Sequence, residues 1–427
     1  MKLAGDALGI RLERALGAGS VTSDPAARAG CSIDGVTPAL IVFPAGAEEV
    51  GAVLGVCSEA GAAVAPRGGG TAIALGNVPR RADVVVDLKK IGRLIEHDDA
   101  NLTATAEAGM AVGSFQQILG ERRQFLAADP PHPARATLGG VVSANSNGPR
   151  RMMHGGVRDL VIGMKMVLAT GERIKAGGKV VKNVAGYDLC KLFVGSLGTL
   201  GIVTEATFRV APLAERAASF AAAGPLERCA RFSAALLRSP LLPSAVAIIQ
   251  GAAADIPGAG KNPALAVRVE GFEEAVARHL RDLAALAADA GLEGEVLGGA
   301  AHERLWDGIR DFGWGERGVL CRLTVPAGSV AELSAALDGA RYVAHAGAGA
   351  IWALLDAEAA SLARFASLAA LARQHRGHAI IAAAPADLKA GIDVWGEAPP
   401  GLELMREIKR QFDPGDILNP GRFIGGI

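Results

Sequence analysis

Three glycine-rich segments carry the chemistry that can be read directly from this chain. Arg67-Gly68-Gly69-Gly70-Thr71 follows Pro66 and the short apolar run Ala62–Ala65. Three adjacent glycines let successive backbone N–H groups converge with no Cβ in the way, a nest suited to a pyrophosphate. A plain flexible turn is the competing reading. Thr137-Leu138-Gly139-Gly140 opens with an N-cap residue, so it predicts a short helix whose first N–H groups can face an anion. Packing of that helix against a neighbour explains the same glycines. Gly195, Gly198 and Gly201 are spaced three apart and lead into the apolar strand that begins with Ile202 and Val203. A flat ring can rest on such backbone; a bent strand entry needs the same residues. The Rossmann pattern is missing, because GxGxxG and its later acidic residue do not follow the first glycine loop. Gly258-Ala259-Gly260-Lys261-Asn262 resembles the end of a P-loop but lacks the first glycine and the Ser or Thr. Gly347-Ala348-Gly349 reads as a turn or a close contact. No GxSxG elbow and no HExxH helix is present.

Composition narrows the setting. The chain has 427 residues, half of them hydrophobic, with 44 basic and 44 acidic side chains. That length suggests two or three domains, and the apolar content argues against disorder. Zero net charge argues against a nucleic-acid groove or a polybasic membrane patch as the main function, while leaving room for a local basic site. The 56 glycines show no collagen period, so they belong in tight turns or close backbone approaches. Cys31, Cys57, Cys190, Cys229 and Cys321 form no CxxC pair. They point to a reducing compartment and exclude an internal four-cysteine iron–sulfur cluster of ordinary spacing. No signal-peptide pattern and no membrane-length apolar run occurs. The expected location is cytoplasmic, with docking on the inner membrane through partners left open.

These segments need elements to hold them. Residues 37–90 read as β-α-β-loop-β: strand Ala39–Phe43, helix Glu48–Ala60, the run Ala62–Ala65, the glycine loop and strand Asp83–Leu88. Between 100 and 212 the pattern gives strands at Leu102–Ala106, Leu160–Leu168 and Thr199–Val210, and helices at Val112–Leu119 and Asp188–Val194. From 215 to 400 the chain turns Ala/Leu-rich. Strands at Ala245–Gln250, Leu265–Val269, Val319–Val325 and within Tyr342–Leu355 alternate with helices at Glu273–Gly291, Ser329–Leu337 and Ala357–Arg373. That order suggests an antiparallel sheet with helices on one face. No sequence repeat is visible. The tail carries a helix at Leu402–Phe412.

Taken in order, PRGGGT at 66–71, TLGG at 137–140, GSLGTLGIVTEA at 195–206 and FDPGDILNPGR at 412–422 resemble the PCMH-type FAD-binding flavoproteins of the vanillyl-alcohol-oxidase family. The resemblance implies an α+β fold. An N-terminal helical and loop segment (1–36) precedes a two-subdomain FAD-binding domain (37–214). A ferredoxin-like antiparallel-sheet cap (215–400) follows, and a C-terminal segment (401–427) returns to the FAD domain. It implies that Pro66, Arg67, Gly68, Gly69, Gly70, Thr71, Thr137, Gly139 and Gly140 hold the pyrophosphate. Leu75, Pro130, Ser143, Asn147, Gly148 and Gly155 line the cofactor by the same resemblance. Gly201, Ile202 and Val203 meet the flavin or its adenosine arm, and Asn419 and Arg422 close the site. Thr71 stands where several relatives carry a flavin-linked histidine, so FAD is expected to be non-covalent; His154 is a remote alternative point of attachment.

A narrower resemblance is to the bacterial glycolate oxidase family, carried by KVVKNVAGYDL at 179–189 and the segment that follows. Catalytic D-type subunits carry GSEGTLG, HxGDGNxH and SGEHGIG. Here Leu197 replaces the glutamate. His345 and the glycines remain, but Ala348, Ala350 and Trp352 stand for the Asp, the Asn and the second His, and residues 375–385 lack the third motif. Oxidising an α-hydroxy acid needs the hydroxyl deprotonated as hydride leaves, work that a metal and a histidine share. Trp352 can do neither. The pattern therefore resembles the second, E-type FAD subunit, with no metal of its own. Its implied partners are a catalytic D-type sister flavoprotein and an F-type iron–sulfur subunit, with a small hydroxy acid as substrate of the complex. Lys182 and Tyr187 are candidate substrate-side groups; Asp188 equally caps a helix. Arg150, Arg151 and Arg158 suit a carboxylate or a phosphate oxygen, and equally a solvated loop or a subunit contact. His345, His375 and His378 read more simply as structural histidines. A self-sufficient FAD dehydrogenase acting on an alcohol or hydroxy acid, and a flavin-less scaffold, remain open alternatives.

Overall fold

The structure is a computed structural model and describes residues 5–179, 187–251, 260 and 262–427. Apolar runs become strands where both of their faces are covered. Leu40–Val42 and Val84–Asp87 are buried at every residue. With Val64–Arg67 they form a parallel trio in which Val84–Asp87 is central, and Val21–Thr22 pairs antiparallel at the edge. Near-continuous apolar sequence is what such a doubly covered strand requires. The helix Ala47–Ala60 buries Val50, Val53, Leu54 and Cys57, carries Glu48 and Glu49 in its first turn, and ends at Gly61 with φ +61°. The β-α-β-loop-β order expected for 37–90 is present.

The second sheet is antiparallel throughout. Its spatial order is Leu94–Asp98, Thr103–Glu107, Ile202–Arg209, Val161–Val167, Arg173–Gly177. Helices Val112–Gly120 and Leu138–Ala144 share its core, with the Phe115 ring 6.0 Å from that of Phe208.

The third sheet has eight strands, all antiparallel. In chain order its first half runs strand Arg216–Ala223, helix Leu226–Arg238, strands Ala245–Gln250 and Ala264–Gly271, helix Glu273–Ala290, strand Gly294–Leu297. The second half repeats that β-α-β-β-α-β order from Val319–Thr324 to His378–Ala383. The strands within each half lie in ferredoxin-like spatial order, and the halves join edge to edge where Ala245–Gln250 pairs with Arg341–His345. The ferredoxin-like cap is thus two such units rather than the one its sequence suggested. The duplication is topological, with no matching sequence repeat. Arg216–Ala223 escaped notice because RAASFAAA has no β-branched residue. Tyr342–Leu355 is a hairpin rather than a single strand, turning at 346–349.

Helices of both units cover one face of this sheet. The connecting helix Gly299–Asp311 lies on the opposite face through Leu305, Trp306 and Ile309, which corrects the one-face expectation. That second face also packs on Leu75, Ala144 and Leu197 from the first part of the chain, so the cap closes over the glycine loops.

Candidate functional site

A cavity with ≈ 780 Å³ of empty space lies where the two small sheets, the cap and the tail meet. Pro66 and Arg67, at the C-terminal end of a parallel strand, begin its wall, and Gly68, Gly69, Gly70 and Thr71 continue it. Arg67 reaches Asp87 at 3.5 Å and the Gly30 carbonyl at 3.3 Å, which holds the loop's base. Thr137 caps the helix Leu138–Ala144, its hydroxyl accepting from the Gly140 N–H at 3.4 Å. Thr137, Gly139, Gly140, Ser143 and Ala144 line the cavity. The two glycine loops touch each other. A Cβ at Gly69 would lie 1.7 Å from the Arg135 carbonyl oxygen, and one at Gly68 would lie 2.0 Å from the Thr137 hydroxyl. Only glycine permits that approach.

The third motif supplies Leu197, Gly198, Gly201, Ile202 and Val203 to the same wall. Gly198 has φ +70°, and a Cβ there would come within 2.5 Å of Pro66 Cγ. This spacing serves contact between loops as well as the strand entry.

The tail returns to complete the cavity. Lys409, in the helix Leu402–Phe412, is buried and donates to the Thr199 and Leu418 carbonyls, each at 2.9 Å, and to Asp413 at 2.5 Å. Asp413 accepts from the N–H groups of Ile417 and Leu418. Leu418 then lies parallel beside Val64. Asn419 follows, donating to the Leu197 carbonyl at 2.6 Å. Arg422 donates to the carbonyls of Ile73, at 2.7 Å, and Leu75. Burial pushes its guanidinium down to about 10, so it remains a cation at neutral pH. Asn419 Oδ1 and Arg422 Nη1 are buried in this wall with no protein partner. Lys389, also buried, pairs with Asp34 and donates to the Ala74 carbonyl at 2.9 Å, tying the end of the cap to the loop beside the cavity.

A glycine cradle, a helix start and two unpaired polar atoms, one of them on a cation, fit a dinucleotide with a diphosphate and a polar ring edge. Sequence reasoning missed Ala72, Ile73, Leu88, Ala108 and Ala144, which share the wall. They carry no motif and reach the cavity through the fold alone.

Four expected cofactor residues lie elsewhere. Asn147 and Gly148 line a small separate cavity with His345, Trp314 and Trp352. Pro130 lines a surface cleft with Asp129 and Arg150. Gly155 ends the short helix Arg151–His154. His154 packs edge-on against Phe125 at 5.5 Å, outside the main cavity. Tyr187 is 96 % exposed and lines none of these cavities, so the fold does not bring it to the site. Lys182 and most of the GAGKN segment fall outside the described residues. Arg158 is exposed, and His375 bonds Ser329 at 3.1 Å and Glu332 at 3.3 Å away from the cavity.

Comparison with known proteins agrees with this architecture. Residues 38–177 match the FAD binding domain model, and residues 396–423 match that of the FAD linked oxidases, C-terminal domain. Glycolate oxidase subunit GlcE of Escherichia coli (strain K12) is 30% identical over 333 residues, 77% of this chain and 84% of that protein. Glycolate oxidase subunit GlcD of Bacillus subtilis (strain 168) is 40% identical over 178 residues, 42% of this chain but only 38% of that protein. Among solved structures, p-cresol methylhydroxylase with substrate bound superposes with a TM-score of 0.75 at 18% identity, covering 98% of this chain and 96% of that one. With FAD-binding sequence, fold and GlcE similarity in accord, the chain belongs to the FAD-linked oxidase family of flavin-dependent oxidoreductases.

Proposed function

We propose that this chain is the second FAD subunit of a glycolate oxidase-type complex, acting with a catalytic sister flavoprotein and an iron–sulfur subunit. The carrying observation is the extent of similarity: the match takes in 84% of the E-type relative but only 38% of the D-type one. FAD supplies a two-electron acceptor for hydride from a hydroxyl-bearing carbon. The glycine loops around Gly69 and Gly140 take its diphosphate, non-covalently, and Asn419 and Arg422 hold it from the tail. Residues 37–214 with 401–427 form the FAD-holding unit, and 215–400 cover it.

Electrons leaving a flavin singly need a carrier. The five cysteines of this chain are all buried, and Cys57, Cys190 and Cys229 lie in three separate cores. Burial pushes the Cys57 and Cys321 thiols up to about 12, far from the thiolates that ligate iron. A partner with iron completes the route. The complex works in the cytoplasm and reaches the inner membrane through its partners. Affinity purification from the native host tests the reading. We expect two companions, one yellow and one containing iron. A solitary chain that turns over glycolate with a dye acceptor would overturn it and favour the self-sufficient dehydrogenase.

A further inference from the structure

The cap closes over the large cavity without lending it a side chain. Among the described residues, every one that lines the cavity comes from 66–203 or is Asn419 or Arg422 of the tail. Leu75, Ala144 and Leu197 line it and also pack into the apolar cluster of the cap's inner face. That cluster brings Leu305, Trp306, Phe312 and Leu320 of the cap against them, with Trp314 and Trp352 alongside. A layer one side chain thick thus separates the cavity from the cap.

The layer stands at a defined end of the cavity. The glycine loops that suit a diphosphate are at 68–70 and 139–140. The atoms left free for the polar edge of a ring belong to Asn419 and Arg422. Those two side chains donate to the carbonyls of Leu197, at 2.6 Å, and Leu75. The end of the cavity that suits a ring is therefore the end that Leu75 and Leu197 close. Both are buried. Leu197 is held there with φ +52°, in the left-handed region that bulky side chains avoid. Its Cδ1 lies 3.2 Å from the place a Cβ would take at Gly76, so the side chain crosses the backbone just after Leu75. Such a conformation persists only where its surroundings fix it. Behind the layer, the hollow lined by Trp314, Trp352 and His345 holds no more than about one water molecule. Burial, with the nearby Arg151 charge, pushes the His345 imidazole down to about 4, so it takes up no proton at neutral pH.

We propose that Leu75, Ala144 and Leu197 form an apolar partition that bars a hydroxy acid from the flavin ring of this chain. A carboxylate must shed its water to enter apolar packing, and nothing in the layer replaces that water. Electrons cross a layer one side chain thick by tunnelling and need no such contact. The inference rests on the proposed function, in which this flavin exchanges electrons with protein partners while the sister subunit meets the substrate.

The test uses the full chain with FAD bound and sodium sulfite as the probe, a small hydrated anion that bleaches flavin absorbance when it reaches the ring. We expect wild type to bleach at least tenfold more slowly than Leu197→Gly, which removes the side chain where glycine adopts the backbone freely. Leu75→Ala should bleach at an intermediate rate. The ratio of flavin to protein absorbance shows that each variant is loaded. Photoreduction through methyl viologen delivers single electrons without bonding to the ring, and should proceed within about twofold in wild type and Leu197→Gly. Equal sulfite rates in wild type and Leu197→Gly overturn the partition. So does viologen reduction slowed in wild type as strongly as sulfite bleaching, because the flavin is then shut off from electrons too. Should Leu197→Gly lose its flavin, a sulfite rate in Leu75→Ala equal to that of wild type overturns the proposal. Fast bleaching of wild type with companions still co-purifying removes the partition and leaves the proposed function. A barred flavin in a chain with no companions does the reverse.

Discussion

The finest control in this molecule is exerted where side chains are missing. Gly69 accepts the Arg135 carbonyl into the space a Cβ would fill, 1.7 Å from that position. Backbone cannot yield as a flexible side chain can. Gly69→Ala must separate the two glycine loops or shift both, an overpacking cost of about 1–3 kcal/mol. The loss should fall first on the cofactor, since both loops face the large cavity. Purified Gly69→Ala is expected to carry much less flavin per chain than wild type, measured as the ratio of flavin to protein absorbance. A variant with full flavin content would remove the loop from the cofactor's wall. The polar residues act differently. Arg422 is legible in sequence as part of NPGR, but its role there depends on the carbonyls of Ile73 and Leu75, which no pattern specifies.

At the scale of elements, the tail is the piece that holds the site shut. The helix Leu402–Phe412 packs Ile408 and Phe412 against the core of the second sheet, and its Lys409 sinks between Thr199 and Leu418 and meets Asp413. Removing one member of a buried ion pair leaves the other charge uncompensated, at about 3–5 kcal/mol. Lys409→Met should therefore loosen residues 413–422 from the strand Val64–Arg67. Hydrogen exchange at the amides of Leu418 and Asn419 is expected to quicken by orders of magnitude, while the amides of Val246 and Val267 in the cap stay slow. Uniform acceleration throughout the chain would show instead that the tail is not a separate unit of stability. The strand and helix elements themselves follow from sequence where periodicity is strong, as at Glu273–Ala290. They escape it where alanine dominates, as at Arg216–Ala223, because alanine reports neither face nor strand preference.

For the whole molecule, burial of titratable groups on the cap's inner face makes stability depend on pH. His302 is 1% exposed and bonded to Ser219 at 2.8 Å. Burial, then the charge of Arg268, pushes it from 6.5 down to about 4. The unfolded chain takes up that proton near pH 6.5, and the fold refuses it until about pH 4. The stability tied to the neutral ring is complete above 6.5 and is lost as pH falls toward 4, about 3 kcal/mol in all. Asp129 runs the other way. Its carboxyl is raised by burial to about 6, so its contribution is complete at low pH and fades as pH rises through 6. A difference measurement removes that opposing slope. Denaturant unfolding at pH 6.5 and pH 4 should show His302→Leu losing less stability on acidification than wild type, by about 3 kcal/mol. Equal losses in both proteins would place the acid sensitivity elsewhere.

Sequence alone determined the parts that are local. Glycine spacing, an N-cap before Gly139 and Gly140, and a C-terminal NPGR each depend on neighbours within a few residues, so they survive as readable motifs. The cofactor class came from the resemblance that those motifs carry when taken together and in order, and the glycines fit it by letting backbone approach a diphosphate closely. Tertiary structure decided what depends on distance along the chain. It duplicated the cap without repeating its sequence, since layer packing constrains which faces are apolar rather than which residues occur. It sent Asn147 and Gly148 to the smaller cavity and left Tyr187 in solvent. It also brought Arg150 and Arg268, distant in the sequence, to one carboxylate, that of Glu270. Charges separated that far in sequence meet only through the register of strands, and that register is fixed by the burial of the whole sheet.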